Sequence, residues 1–286
     1  MREKVAFAIV LAATAMPYAA RAETPQVTEI EFQSEGSTVR GRFFSTADEP
    51  IATVVFLPGA DFDPTDVLGL GESLSALGVN VVTFAARGTR GSEGTLSIAG
   101  AVADVGAALG WLRGADGRAL RVDPDRIVIG GHSLGGGIAM AYAARDPSVR
   151  NVISIAGNDL GEYARRLRGN PALAAGLRGR LSEMSGSTGF AHLDPDAVVR
   201  EILDNEALYG HPENASRLAD RTILLVGGWD DSTAPIETVL IPFYRALKRQ
   251  PDSHVTLIVY PDGHFFRESR QEMAADIRAW LGRHIF

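Results

Sequence analysis

Ser133 stands in Gly131-His132-Ser133-Leu134-Gly135, directly after the apolar run Ile127-Val128-Ile129. A Gly-x-Ser-x-Gly pentapeptide alone is a weak signal. Its setting says more, because a short buried-type strand precedes it. The small-residue helix pattern Gly136-Gly137-Ile138-Ala139-Met140-Ala141 follows. Strand, sharp turn and helix are what a nucleophile elbow requires: the turn lifts the hydroxyl clear of the sheet, and small neighbours let helix and strand approach. Ser133 is therefore read as a candidate nucleophile.

A serine hydroxyl is a poor nucleophile at neutral pH, so it needs a base, and the base needs an orienting group. On a strand–turn–helix framework these occur in the order Ser, Asp, His. Of six histidines, His264 fits the base, in the turn Tyr260-Pro261-Asp262-Gly263-His264-Phe265 just past the last strand-like run. His132 adjoins the nucleophile but is expected to point away from it. His192 and His211 fall in a long insertion, His254 starts a strand, and His284 lies in the terminal helix. The acid candidates are neighbours, Asp230 and Asp231, after the run at 223–226. Two neighbours cannot both face the imidazole, so one of them caps or turns the loop. Asp159, after the run at 152–155, is a third candidate. The acid's work is to hold the histidine tautomer and stabilise the imidazolium. An oxyanion hole needs two backbone N–H groups. Leu134, following the nucleophile, supplies one; the loop Pro58-Gly59-Ala60-Asp61 should supply the other. Pro58 has no N–H and Gly59 serves the turn, which leaves Ala60 as the donor.

These groups meet only if the runs carrying them share one sheet. Six apolar runs recur at 54–57, 81–84, 127–129, 152–155, 223–226 and 255–259, separated by helix-length segments. Such continuous β-branched runs suit parallel strands buried on both faces. Two alternating segments, 27–32 and 38–43, flank Glu35-Gly36 and predict an antiparallel hairpin with one wet face. Helical stripes run through Val102, Val105, Leu109 and Leu112, and through Met273, Ile277, Trp280 and Leu281, the latter closing on Gly282. The sum is an α/β chain with a doubly wound, mostly parallel sheet and an antiparallel N-terminal hairpin. Residues 158–221 carry short helical stretches and turn signals but no strand run. So long an interval exceeds a plain crossover and is expected to form a helical lid over the carboxyl ends of the strands.

At this point the chain resembles an α/β-hydrolase of the serine esterase and peptidase type. It is similar to the dienelactone-hydrolase-like and prolyl-oligopeptidase-like branches. The matching motifs are Gly131 to Gly135, Gly228-Trp229-Asp230-Asp231 with Pro235, Pro261-Asp262-Gly263-His264, and Arg87-Gly88-Thr89-Arg90-Gly91-Ser92-Glu93-Gly94 after the fourth strand. In that family the acid commonly stands four residues before a proline, which selects Asp231 over Asp230. The chain departs from the family at two places. Pro58-Gly59 stands where many relatives have His-Gly, and Ala85 occupies a position, two before Arg87, that is often acidic. The resemblance therefore implies that the family's salt link at this loop is missing. It also implies a small acyl substrate and an ester as the scissile bond. A serine peptidase, an acyl transferase and a ligand-binding protein without turnover are the rival readings.

Composition narrows the partners. The formal charge is −7; loss of residues 1–22 would remove Arg2, Lys4, Arg21 and Glu3, giving −9 over 264 residues. That acidic balance argues against nucleic acid or an anionic membrane as partner. Arg2 and Lys4, the apolar stretch 5–16 and Ala20-Arg21-Ala22 read as an export signal, with the periplasm expected first and secretion second. The rest, 23–286, is expected to be one domain. No cysteine is present, so neither a disulfide nor a lipidated-cysteine anchor can form. No metal-ligand spacing occurs, and the Arg87 to Gly94 run lacks phosphate-loop spacing, so neither metal nor other cofactor is expected. The arginines Arg165, Arg166, Arg168, Arg178 and Arg180 read as a solvated helix face.

Overall fold

The computed structural model describes residues 25–46 and 49–285; the export signal read at 1–22 lies outside the described residues. Eight strands form one sheet: β1 Gln26–Ser34, β2 Ser37–Ser45, β3 Thr53–Leu57, β4 Asn80–Phe84, β5 Ile127–His132, β6 Asn151–Ile155, β7 Thr222–Gly228 and β8 His254–Tyr260. Their spatial order is β1-β2-β4-β3-β5-β6-β7-β8. β2 pairs antiparallel with β1 and with β4, and every later pairing is parallel. This is the α/β fold that the alternation of apolar runs and helical stripes predicts.

Burial follows the logic of each strand. β1 buries only Ile30, Phe32 and Ser34, on alternate positions, so its other face is wet. Glu35 and Gly36 both take positive φ, 47° and 82°, which closes the hairpin in a two-residue turn. β3 and β4, deep in the sheet, are buried at every position. β8 departs from the reading made of its apolar run. Most of it is only half-buried, because β8 is an edge with one neighbour.

The helices are α1 Leu70–Ser75, α2 Ile98–Arg113, α3 Ala115–Ala119, α4 Leu134–Ala143, α5 Leu160–Gly169, α6 Pro171–Ser185, α7 Pro195–Asp204, α8 Glu206–Tyr209, α9 Ile241–Lys248 and α10 Arg270–His284. Successive strand residues point to opposite faces, and two apolar layers result. Val55, Ile129 and Leu225 pack with Leu109, Met140 and Phe243. Val54, Val128 and Leu224 pack with Leu74, Ile277 and Trp280. α10 runs past Gly282 to His284, which the sequence reading also places in the terminal helix. The buried Trp280 and Leu281 keep the last turn docked, and one glycine costs a docked helix only about 1 kcal/mol. Among the described residues no helix is long and apolar enough to cross a membrane.

The loop after β4 is anchored by a charge, in spite of Ala85. The Arg87 guanidinium bonds Asp104 of α2 through Nε at 2.8 Å, and Glu35 of the hairpin turn at 2.6 Å. Asp104 also accepts the Arg87 amide at 2.8 Å and is wholly buried. A salt link is therefore present, with its carboxylate supplied from α2 instead of from the loop, and the expected loss is corrected.

Candidate active site

Ser133 joins β5 to α4 with φ 54° and ψ −121°. Non-glycine residues rarely hold such a conformation, which costs on the order of 1–3 kcal/mol. Its surroundings enforce it. The Ser133 amide donates to Ile155 O at 2.9 Å, and Ser133 O accepts from the Asn158 amide at 3.0 Å. A Cβ on Gly131 would lie 2.3 Å from the Gly135 carbonyl carbon, and one on Gly135 would lie 2.3 Å from Leu57 O. Both flanking positions are thus closed to any side chain. Other strained residues follow the carboxyl ends of neighbouring strands: Phe62, Arg90, Ala156 and Phe266 all have positive φ.

The same sheet edge brings the other candidates together. His264, past the end of β8, places Nε2 2.9 Å from Ser133 Oγ. Its Nδ1 lies 2.7 Å from Asp231 Oδ2. A carboxylate can only accept, so Nδ1 carries the proton and Nε2 is free to accept from the hydroxyl. Asp231 is buried, and its other oxygen takes the amides of Thr233 at 2.8 Å and Ala234 at 2.9 Å. Burial alone would raise its pKa. The His264 hydrogen bond and the two amides more than offset that, and hold the carboxyl below its ordinary range. Asp230 is exposed, its amide bonded to Asp262 O at 3.0 Å. Asp159 caps α5 through the Glu162 amide at 2.9 Å.

The two amides expected to serve an oxyanion, those of Leu134 and Ala60, belong to segments that flank Ser133. Leu134 is the first residue of α4, where the amide has no partner within the helix. The loop after β3 passes close by: a Cβ on Gly59 would lie 3.5 Å from Ser133 Cβ. The amide of Ala60, next in that loop, donates to no described backbone acceptor. The arrangement can take a proton from a hydroxyl, return it to a leaving group and meet a developing oxyanion.

His132 is the residue that the sequence reading undervalued. It does not turn away from the site. Its ring centroid lies 4.7 Å from that of His264, and Nε2 bonds His264 O at 2.8 Å. Strand alternation cannot reveal this, because the contact depends on where the loop after β8 returns. Burial, chiefly, and the charge of His264 push the His132 pKa down to about 4. The unfolded chain takes up this proton near pH 6.5, whereas the folded chain resists it until about pH 4. The linked stability is therefore present above about pH 6.5 and lost as pH falls toward 4. On the order of 3 kcal/mol is at stake. We expect the melting temperature of the wild type to fall more steeply over that interval than that of His132→Gln. Parallel melting curves for the two chains would contradict the assignment.

The insertion between β6 and β7 is helical, with α5 to α8 in it, and it joins the loop after β4. The His192 amide bonds Gly88 O at 2.6 Å, and the Arg90 amide bonds Phe190 O at 2.8 Å. The Arg90 guanidinium lies over the Phe190 ring, 3.9 Å from its centroid, and bonds Asp61 O at 3.0 Å. The five arginines of the insertion are exposed, as a solvated helix face predicts, and several of them form surface ion pairs. Arg165 pairs with Glu213 at 2.8 Å, Arg178 with Asp196 at 2.7 Å, and Arg168 with Glu206. His211 is buried against Phe243, and burial lowers its pKa. Among the described residues no group of three or more His, Asp or Glu could hold a metal ion.

Residues 54–276 match the alpha/beta hydrolase family. No curated protein matches the chain in sequence. Solved structures that resemble it include the alpha/beta hydrolase GrgF from a Penicillium species, at TM-score 0.67 and 16% identity over 91% of this chain and 99% of that one. An esterase from Pyrococcus furiosus matches at TM-score 0.65 and 17% identity, over 92% of each chain. The acylaminoacyl peptidase of Pyrococcus horikoshii matches at 0.65 and 17%, over 92% of this chain but 41% of that one. At such identities the likeness is one of fold.

Proposed function

The chain belongs to the alpha/beta hydrolase family, and from that premise we propose that it is a serine carboxylesterase. The reading rests above all on one observation, the unbroken hydrogen-bonded chain Ser133 Oγ, His264 Nε2, His264 Nδ1, Asp231 Oδ2, with links of 2.9 and 2.7 Å. In this reading Ser133 Oγ attacks the ester carbonyl carbon while His264 Nε2 takes the hydroxyl proton. Asp231 holds the ring and balances the imidazolium charge. The tetrahedral oxyanion is received by the amides of Leu134 and Ala60, each worth about 3 kcal/mol on known precedents. The carbon–oxygen bond to the leaving alcohol then breaks, and His264 returns its proton to that oxygen. Water, deprotonated by the same imidazole, attacks the acyl-enzyme; the acid departs and the Ser133 hydroxyl is restored.

An ester is favoured over an amide by the esterase among the structural neighbours, which is fold-level analogy. A peptidase on the same residues is the second reading, supported by the peptidase neighbour. Side-by-side assay separates the two. The esterase reading expects short p-nitrophenyl esters to exceed aminoacyl p-nitroanilides in kcat/KM by several decades. A preference for the anilides would hand the site to the peptidase reading.

A further inference from the structure

Among the described residues four large apolar side chains are exposed: Val27, Leu77, Trp229 and Phe265. Val27 and Leu77 are scattered over the outer surface, β1 and the turn after α1, and isolated cases of this kind are ordinary. The two aromatic ones are placed differently. Trp229 directly precedes Asp230-Asp231, and Phe265 directly follows His264. Their loops are tied to each other, Trp229 N to Tyr260 O at 2.8 Å and Asp230 N to Asp262 O at 3.0 Å. The two exposed rings therefore belong to the paired loops that carry Asp231 and His264.

Phe265 has the more telling environment. Its ring stands edge-on to the His264 imidazole, centroids 5.3 Å apart and planes at 83°, and lies 5.8 Å from the His132 ring. Its carbonyl is held by Arg270 Nε at 3.2 Å, and Phe266 beside it is wholly buried with φ 47°. The backbone is thus pinned on both sides, while 52% of Phe265 remains open to solvent. Beneath this surface the buried His132 ring connects it to the loop that bears Ala60, since a Cβ on Gly59 would meet His132 Nδ1 at 3.5 Å.

The direction of the chemistry says what this ring would meet. His264 Nε2 must reach the oxygen of the departing alcohol to protonate it, so the first carbons of that alcohol pass beside the imidazole. Among the described residues Phe265 is the exposed large apolar side chain packed against that imidazole. Solvent-exposed apolar area next to a reacting centre is stabilised when substrate covers it.

We propose that Phe265, with Trp229 farther out, forms an aromatic leaving-group subsite, and that the preferred substrates are esters of aromatic or bulky apolar alcohols. The proposal rests on the serine-esterase reading above and extends it to the alcohol side of the ester. Specificity then resides on the leaving-group side in rings carried by the same loops as His264 and Asp231, and Phe265 is a contact residue for substrate.

The test compares ethyl acetate with 2-phenylethyl acetate, whose alcohols are of similar basicity and differ in one phenyl ring. Wild type should favour the phenylethyl ester in kcat/KM. Phe265→Ala should cut that preference about tenfold, the worth of a partly buried aromatic contact, mainly through KM. Trp229→Ala should cut it less, and Phe265→Leu, which keeps apolar bulk, should restore much of it. An unchanged ratio in Phe265→Ala overturns the subsite, whether or not both rates fall together. A second readout needs no turnover: calorimetric titration of 2-phenylethanol into Ser133→Ala and into the double variant Ser133→Ala/Phe265→Ala. Binding that weakens with loss of the ring supports the subsite even if the wild type hydrolyses neither ester, a result that would instead sink the esterase reading. Equal binding by the two chains sinks the subsite and leaves the esterase reading standing.

Discussion

Ser133→Ala should lower ester turnover by about a millionfold, the loss typical when a nucleophile that acts as one unit with its base is removed. Without Oγ no acyl-enzyme forms. On the proposed reading, what remains is water attacking a carbonyl received by the Leu134 and Ala60 amides, worth about 10³–10⁴ over solution. The fold should survive. The Ser133 side chain makes one hydrogen bond, to His264, and the backbone strain at φ 54° is imposed by neighbours that the substitution leaves in place. We therefore expect folding stability within about 1 kcal/mol of wild type, read as a denaturant midpoint, beside a kcat at the limit of detection. Retention of turnover within tenfold would reassign the nucleophile.

The second large effect concerns the acid. Asp231→Asn keeps shape but offers His264 Nδ1 an amide, which favours the wrong tautomer and cannot balance an imidazolium. A fall in kcat of about 10⁴ is expected, with KM changed little. The adjacent Asp230→Asn is the control, because Asp230 is exposed and makes no side-chain bond to the imidazole. Its kcat should stay within about twofold of wild type, in the range of an ordinary surface change. Comparable losses in the two variants would mean that the 2.7 Å link between Asp231 and His264 does not carry the effect.

Much of this arrangement was legible before any coordinates. The runs that became β3 to β8 announce themselves because parallel strands bury both faces and need unbroken apolar residues. The elbow is legible for a related reason: Gly131 and Gly135 sit where no Cβ fits, so the motif records a steric demand. Asp231 against Asp230 was not decidable from residue type, and only the family spacing to Pro235 selected between them. Their difference is one of direction at a strand end, buried for one and solvated for the other. The half-burial of β8 was hidden because an edge strand and a central strand can share one sequence, while position in the sheet is set by the crossovers. Arg87 shows the same limit. Its carboxylate partners lie 17 residues on, in α2, and 52 residues back, in the hairpin turn, so the sequence displays only the empty place at Ala85. The arginines of the insertion are solvated as read, and only their ion-pair partners on neighbouring helices leave no local pattern in the sequence. His132 is read from sequence as turned away and Phe265 carries no signal of its own, since their mutual contact depends on a loop returning from the far end of the chain.

Covalent labelling puts the central claim to its most direct trial. The purified chain is treated with a fluorophosphonate, its intact mass recorded, and the modified peptide sequenced. A single adduct on Ser133 is expected, absent from Ser133→Ala and formed far more slowly by Asp231→Asn. An unlabelled wild-type chain, or an adduct that persists in Ser133→Ala, would contradict the account.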